Sequence, residues 1–203
     1  SYTYSTTGAG VTAYVVDSGI RASHVEVAGR VRNGADEVLD GNGTDDCNGH
    51  GTHVAGTLAG ETFGVAKEAE LVPVRVLGCS GSGTASALIS GLQWVVADHD
   101  EGVPAVLNLS LGFGAVLTSV DSVVKSVVAD GITVVIASGN AGTDACRSSP
   151  GGVPEAITVN ATGDVGSTGV EAASDARASF SNYGECTDCG AHTLAMSEDC
   201  GPV

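Results

Sequence analysis

Two segments carry side chains that could do chemistry together. The first is VVDSGI, in which Asp17 ends a run of β-branched residues. The second is NGHGTHVAG, in which His50 opens a helix-like stretch with a glycine on either side. A carboxylate at a strand end can accept from an imidazole Nδ1–H, which fixes the tautomer and leaves Nε2 as a base. Glycines beside such a histidine let backbone and substrate approach closely. Singly, Asp17 reads as a helix or turn cap and His50 as a satisfied turn residue. Together, in this order and in the fold described next, they read as an acid–base couple. HGTH is not a zinc-binding HExxH, because no Glu follows the first His.

The elements that must hold this couple alternate between short apolar runs and longer amphipathic ones. Val11 to Val16 is a compact β-branched run with the signature of a buried strand. His50 to Ala59 reads as a helix entered through the Asn48-Gly49 turn, and Leu71 to Leu77 as the next strand. Ala85 to Asp98 carries Leu88, Ile89, Leu92, Val95 and Val96 at helical spacing. Val103 to Leu111 reads as a strand, Ser119 to Ala129 as a helix, and Ile132 to Ala137 and Ala156 to Ala161 as further strands. This rhythm predicts an α/β fold, a mostly parallel sheet with helices on both faces. In such sheets, sites form at the carboxyl ends of the strands. From about Glu185 onward the sequence shows neither strand alternation nor a helical stripe. Residues 1–184 therefore read as one domain and 185–203 as an atypical cysteine-containing tail.

Composition narrows the class. With 203 residues, 42% of them hydrophobic, the chain has enough apolar surface for a sizeable core. No run approaches the roughly 18 apolar residues of a membrane helix, and no signal-peptide pattern opens the chain at Ser1. Eight Lys and Arg face 24 Asp and Glu, for a formal charge of −16, which repels nucleic acid and excludes it as a partner. The six cysteines are too scattered for a zinc knuckle and read as disulfides made in an oxidising compartment.

Asp17 in AYVVDSGI and His50 in NGHGTHVAGTLAG resemble the Asp and His motifs of the subtilases, with a closer likeness to the proteinase K and aqualysin branch. FGVAK (63–67), VRVLGCSGSGT (74–84), LNLSLG (107–112), ASGNAG (137–142) and ARASFSNYG (176–184) extend the resemblance in order along the chain. It implies a subtilisin-like fold and peptide-bond hydrolysis by a Ser-His-Asp mechanism in a secreted, extracellular protein. Asp17 would orient His50, His50 would be general base and then general acid, and Asn140 would donate to the oxyanion. Leu77, Gly78, Ser80 and Gly81 match the edge strand that pairs with an extended polypeptide substrate. Ser110, Leu111 and Gly112 match one wall of the pocket for the side chain before the scissile bond, and Ala137, Ser138 and Gly139 the other. By the same resemblance Cys47 pairs with Cys79 and Cys146 with Cys186, while Cys189 and Cys200 have no counterpart and are left either paired or free. The Pro154 and Ala156 carbonyls with the Asp188 carboxylate resemble a family calcium site of hard oxygen donors. The acidic loop Asp40, Asn42, Asp45, Asp46 reads as a solvated turn, with a second cation as the alternative. His53 reads as a packed structural residue and His24 as part of a structural turn; His99 and His192 carry no context.

The family places its nucleophile in a GTSMAxP segment, and no such segment occurs in these 203 residues. Met196-Ser197 is the one Met-Ser pair, and it lacks the flanking pattern. Relative to the family, the chain reads as truncated at its carboxyl end. The resemblance then implies that the Ser comes from outside, for instance on a second chain, or that the protein is a pseudoprotease or truncated product. On its own such a chain is expected to bind extended polypeptide and to cut it feebly.

Overall fold

The computed structural model describes residues 5–163 and 177–192. They fall into two compact units, one drawn from Ser1–Ser110 with Ser126–Val134 and one from Leu111–Lys125 with Val135–Val203. In the first, β1 (Thr12–Asp17), β2 (Ala35–Asp36), β3 (Glu70–Arg75) and β4 (Ala105–Leu109) lie in the order β2-β3-β1-β4, all paired in parallel. In the second, β6 (Ile157–Thr162) pairs in parallel with β7 (Cys189–His192) and with the last residues of β5 (Thr133–Ala137). Three helices, α1 (His50–Ala59), α2 (Ala85–Asp98) and α3 (Thr118–Ala129), come between strands in the chain. None of the helices among the described residues is long and apolar enough to cross a membrane.

The unbroken apolar run of β1 is explained by cover on both faces. Ala13 and Val15 join Ala55 and Ala59 of α1, Leu71 of β3, and Ile20, Val27 and Ala69 in one buried cluster. Small residues at 51, 55 and 59 form the buried face of α1, so the helix lies close on the strand. On the alternate positions Tyr14 reaches Asp98 at the end of α2 with a 2.9 Å hydrogen bond. There Gly91 of α2 leaves room for Val74 and Val76, whose Cγ1 atoms would lie 2.9 and 2.8 Å from a Cβ at that position.

Several boundaries differ from those expected. Val103 and Pro104 precede β4, because proline has no N–H for a ladder and serves through its carbonyl, which accepts from Thr12 N–H at 3.0 Å. The segment expected to lack regular structure contains β7, whose register is set from β6. At its start Asp188 N–H donates to the Thr158 carbonyl and the Asp188 carboxylate accepts from Thr158 N–H, both at 2.8 Å. Four residues held by an outside partner leave no periodicity to read.

His99, which had no context in the sequence, caps the carboxyl end of α2 with both ring nitrogens engaged. Nδ1 lies 2.7 Å from Asp130 Oδ2 and Nε2 lies 2.9 Å from the Val103 carbonyl. Both partners accept only, so the ring that satisfies them carries two hydrogens and a positive charge. The Val103 carbonyl, then Asp130 and Asp100, hold the imidazole above its ordinary value against the opposing effect of burial. A raised folded-state value stabilises the fold fully below the unfolded value and loses that contribution as pH rises through the folded one. The stability gap between wild type and His99→Gln is therefore expected to be largest below the ordinary histidine value of about 6.5 and to shrink as pH rises above it in urea denaturation series. A constant gap would contradict the doubly protonated ring.

Candidate active site

Asp17 is the last residue of β1 and is fully buried. Its carbonyl accepts from Val76 and Leu77 N–H, and its Oδ1 accepts from Ser18 N–H at 2.7 Å. The strand exit is thereby tied to residues 76 and 77, and the carboxylate itself is held by the backbone through Ser18 N–H. His50, the first residue of α1, lies 33 residues on, and its Nδ1 is 2.8 and 2.9 Å from the two Asp17 oxygens. An ionised carboxylate can only accept, so Nδ1 carries the hydrogen and Nε2 keeps its lone pair. The hydrogen bond to Asp17 raises the His50 pKa above its ordinary value, burial opposes it, and the charges of Asp17 and Asp46 add to the rise. With its side chain 48% exposed, His50 is open to a reactant while its partner is not.

The acidic loop is not a solvated turn throughout. Asp40 grips the buried Arg75 with two bonds, 2.7 and 2.8 Å, and Asp36 adds a third at 3.2 Å. The Arg75 guanidinium holds the Asp40 carboxyl well below the usual carboxylate range. Asp46 is 1% exposed and accepts from protein donors through both oxygens. His53, expected to be packed, is exposed instead: three residues after His50 it stands on the outer side of α1, whose buried positions are 51, 55 and 59. His24 does belong to a turn, where its Nδ1 accepts from Glu26 N–H at 3.3 Å.

Leu77 to Gly83, matched to the edge strand that pairs with substrate, forms a turn closed by an antiparallel bridge between Leu77 and Gly83. Gly78 N–H donates to Ser82 O and Gly81 N–H to Gly78 O, each at 2.9 Å. Asn48 Nδ2 donates to Cys79 O at 3.1 Å, which ties Cys79 and its neighbours Ser80 and Gly81 to the residues just before His50. Ser110 follows β4 and accepts from Asn108 Nδ2 at 2.8 Å, with Leu111 half-buried and Gly112 exposed after it.

In the second unit, Ala137 ends β5, and Ser138, Gly139 and the exposed Asn140 follow it. That loop is organised by Asn182, a residue that no local pattern singles out. Its N–H donates to Gly139 O at 2.9 Å and its Nδ2 to Ser138 O at 2.8 Å, while its Oδ1 accepts from Ala141 and Thr143 N–H. Gly139 has φ +105°, and a Cβ there would lie 2.5 Å from Asn182 Nδ2, so the close approach requires glycine.

Both implied disulfides are present, Cys47–Cys79 and Cys146–Cys186. Closing loops of these lengths, with separations of 32 and 40 residues, contributes about 4 kcal/mol each in the chain-entropy picture. The side chains of Cys189 and Cys200, like Met196-Ser197, lie outside the described residues. Of the implied calcium donors, Pro154 is exposed, Ala156 buried, and Asp188 exposed with one oxygen engaged by Thr158. The set is composed of oxygen atoms only, which fits a hard cation.

Comparison with known proteins identifies the family of the chain. A family model described as the subtilase family matches residues 8–195. The chain is 54% identical over 187 residues to an extracellular serine proteinase of Thermus sp. (strain Rt41A), covering 92% of this chain and 43% of that protein. It is 46% identical over 188 residues to alkaline serine exoprotease A of Vibrio alginolyticus, covering 93% and 33% respectively. A crystal structure of a cold adapted subtilisin-like serine proteinase superposes with a TM-score of 0.84 at 45% identity, over 95% of this chain and 66% of that one. The chain thus spans less than half the length of these two relatives, and its fold is subtilisin-like. On the match over residues 8–195 and these identities, the chain belongs to the subtilase family.

Proposed function

We propose that this chain is the Asp- and His-bearing part of a secreted serine endopeptidase that cleaves extended polypeptide, with its nucleophilic Ser supplied from outside these residues. One observation carries the reading: the buried Asp17 carboxylate meets His50 Nδ1 at 2.8 Å and leaves Nε2 as the exposed base. In this role His50 takes the serine proton as the hydroxyl attacks the peptide carbonyl, then returns a proton to the leaving amine. Asp17 holds the ring in one tautomer and stabilises the imidazolium that forms. Asn140 donates its side-chain amide to the oxyanion, a contribution of about 3 kcal/mol in comparable sites. Residues 77–81, 110–112 and 137–139 supply the peptide-binding surfaces. The extracellular name of the Thermus relative supports secretion.

The test is hydrolysis of an extended chromogenic peptide by this chain and by the full-length protein. Turnover by the longer protein, with binding but negligible turnover by this chain, is expected. Binding without turnover in both would favour a pseudoprotease.

Calcium at the Pro154 and Ala156 carbonyls and Asp188 would be structural, tying the start of β6 to the start of β7. Binding to the folded state alone adds about 2.7 kcal/mol when calcium is about 100-fold above its dissociation constant. A chelator should therefore lower the melting midpoint of the wild type and leave that of Asp188→Asn unmoved. Equal shifts in both would place the ion elsewhere.

A further inference from the structure

Helix α1 begins in an unusual way for an element that carries a reactive side chain on its first residue. Its N-cap is Gly49, in the left-handed region at φ 103°, with no side-chain cap of its own. The first-turn N–H groups need partners from outside the helix: that of His50 finds Asn48 Oδ1 at 3.2 Å, and those of Gly51 and Thr52 find two buried residues from elsewhere. Ser18 Oγ accepts from Gly51 N–H at 3.0 Å, and Asp46 Oδ2 accepts from Thr52 N–H at 2.8 Å and from Thr52 Oγ1 at 2.6 Å. The other Asp46 oxygen accepts from Gly49 N–H at 2.8 Å, Asn48 N–H at 3.0 Å and Ser18 Oγ at 2.9 Å. Ser18 N–H in turn donates to Asp17 Oδ1 at 2.7 Å. A continuous buried path therefore runs from Asp17 through Ser18 and Asp46 to the residues on both sides of His50.

We propose that Asp46 is a positioning residue for His50: its buried carboxylate locks the first turn of α1 onto the exit of β1 and so sets the Asp17–His50 contact. The inference rests on the reading of Asp17 and His50 as the catalytic couple. Asp46 holds the backbone that carries the ring through the N–H groups of Asn48, Gly49 and Thr52, with Thr52 Oγ1 and, from the exit of β1, Ser18 Oγ as further donors. Few side chains could substitute. Asn offers one acceptor oxygen and turns its amide hydrogens towards groups that are themselves donors. Glu adds a methylene in a site with 1% exposure. The negative charge also lies at the amino-terminal end of the helix dipole, where it is favoured, and it acts on His50 together with Asp17.

A plain helix cap would affect stability alone, whereas a positioning residue also changes the chemistry of the ring. The test uses the full-length protein with 13C-labelled histidine. The His50 resonance is assigned by its absence in His50→Ala, and its titration is followed in wild type and Asp46→Asn beside peptide kinetics. Asp46→Asn is expected to lower the His50 titration midpoint and the acid limb of kcat/KM together. It should reduce kcat by about 10- to 100-fold with KM within about twofold, as displacement of a reacting group does. If Asp46→Asn does not fold, Ser18→Ala removes the hydroxyl that donates to Asp46 and accepts from Gly51 N–H, leaves the other Asp46 contacts in place, and should move both readouts in the same direction by less. An unmoved His50 midpoint in a folded variant, with activity falling only in step with the folded fraction, would overturn the proposal. A moved midpoint in a protein whose turnover ignores His50→Ala would instead uphold Asp46 as the anchor of His50 and sink the catalytic reading.

Discussion

In the full-length protein, His50→Ala is expected to lower kcat by about 10⁶-fold while KM stays near its wild-type value, and Asp17→Asn to lower it by about 10⁴-fold. The two effects differ because the residues do different things. Without the imidazole no base takes the serine proton. Without the Asp17 charge the ring remains, but Asn can donate to Nδ1 and favours the tautomer whose Nε2 carries hydrogen. Residual turnover of about 10³-fold over water would persist in His50→Ala, from oxyanion donors and binding, and about 100-fold more in Asp17→Asn. The pH profile adds a second signature. Activity needs neutral His50, and Asp17 raises its pKa, so the acid limb of kcat/KM should fall above the ordinary histidine value of about 6.5. A His50→Ala protein that kept a tenth of its kcat would remove the imidazole from the mechanism.

Gly51→Ala is expected to damage both stability and turnover without removing a functional group. A Cβ at residue 51 would lie 2.2 Å from the Gly19 carbonyl oxygen and 3.2 Å from Asp17 Cβ. Both belong to the buried exit of β1, so α1 must move away from the strand that carries its partner. Alanine brings roughly 1 kcal/mol of helix propensity, but overpacking of this kind costs typically 1–3 kcal/mol and here meets backbone rather than a flexible side chain. A net loss of about 2 kcal/mol is expected in chemical denaturation, with about 100-fold in kcat from the displaced ring. Gly56, one turn and more along the same helix, is the control. Nothing lies within 4 Å of a Cβ there, so Gly56→Ala should gain up to about 1 kcal/mol. Equal behaviour of the two variants would show that the close approach at Gly51 does not govern His50.

Those features that repeat along the chain were legible in the sequence. The β-branched run into Asp17 is buried on both faces because helices cover both, and that cover is what a continuous apolar strand signals. The helix from His50 to Ala59 appears with the expected ends, and the motifs around 17 and 50 marked the two groups that meet. What escaped notice is held by partners distant in sequence. Asp46 looked like one acid in a polar loop, yet it serves donors from residues 18 to 52. Arg75 lay unremarked inside the run read as a strand and proved fully buried, because Asp36 and Asp40 return to it across more than thirty residues. Asn182 organises residues 138–143 from more than thirty residues away. Local periodicity reports which face of an element is apolar; it is silent on which remote donor a buried oxygen will find. The turn at 77–83 belongs with these, since a disulfide and Asn48 hold it from outside.

The central claim is that Asp17 and His50 activate a serine that lies beyond these 203 residues. Fluorophosphonate labelling of the full-length protein, read by intact mass and peptide mapping in wild type and His50→Ala, tests it most directly. One labelled serine outside these residues is expected in the wild type, with labelling abolished by His50→Ala. A labelled serine within residues 1–203, or labelling indifferent to His50, would contradict it.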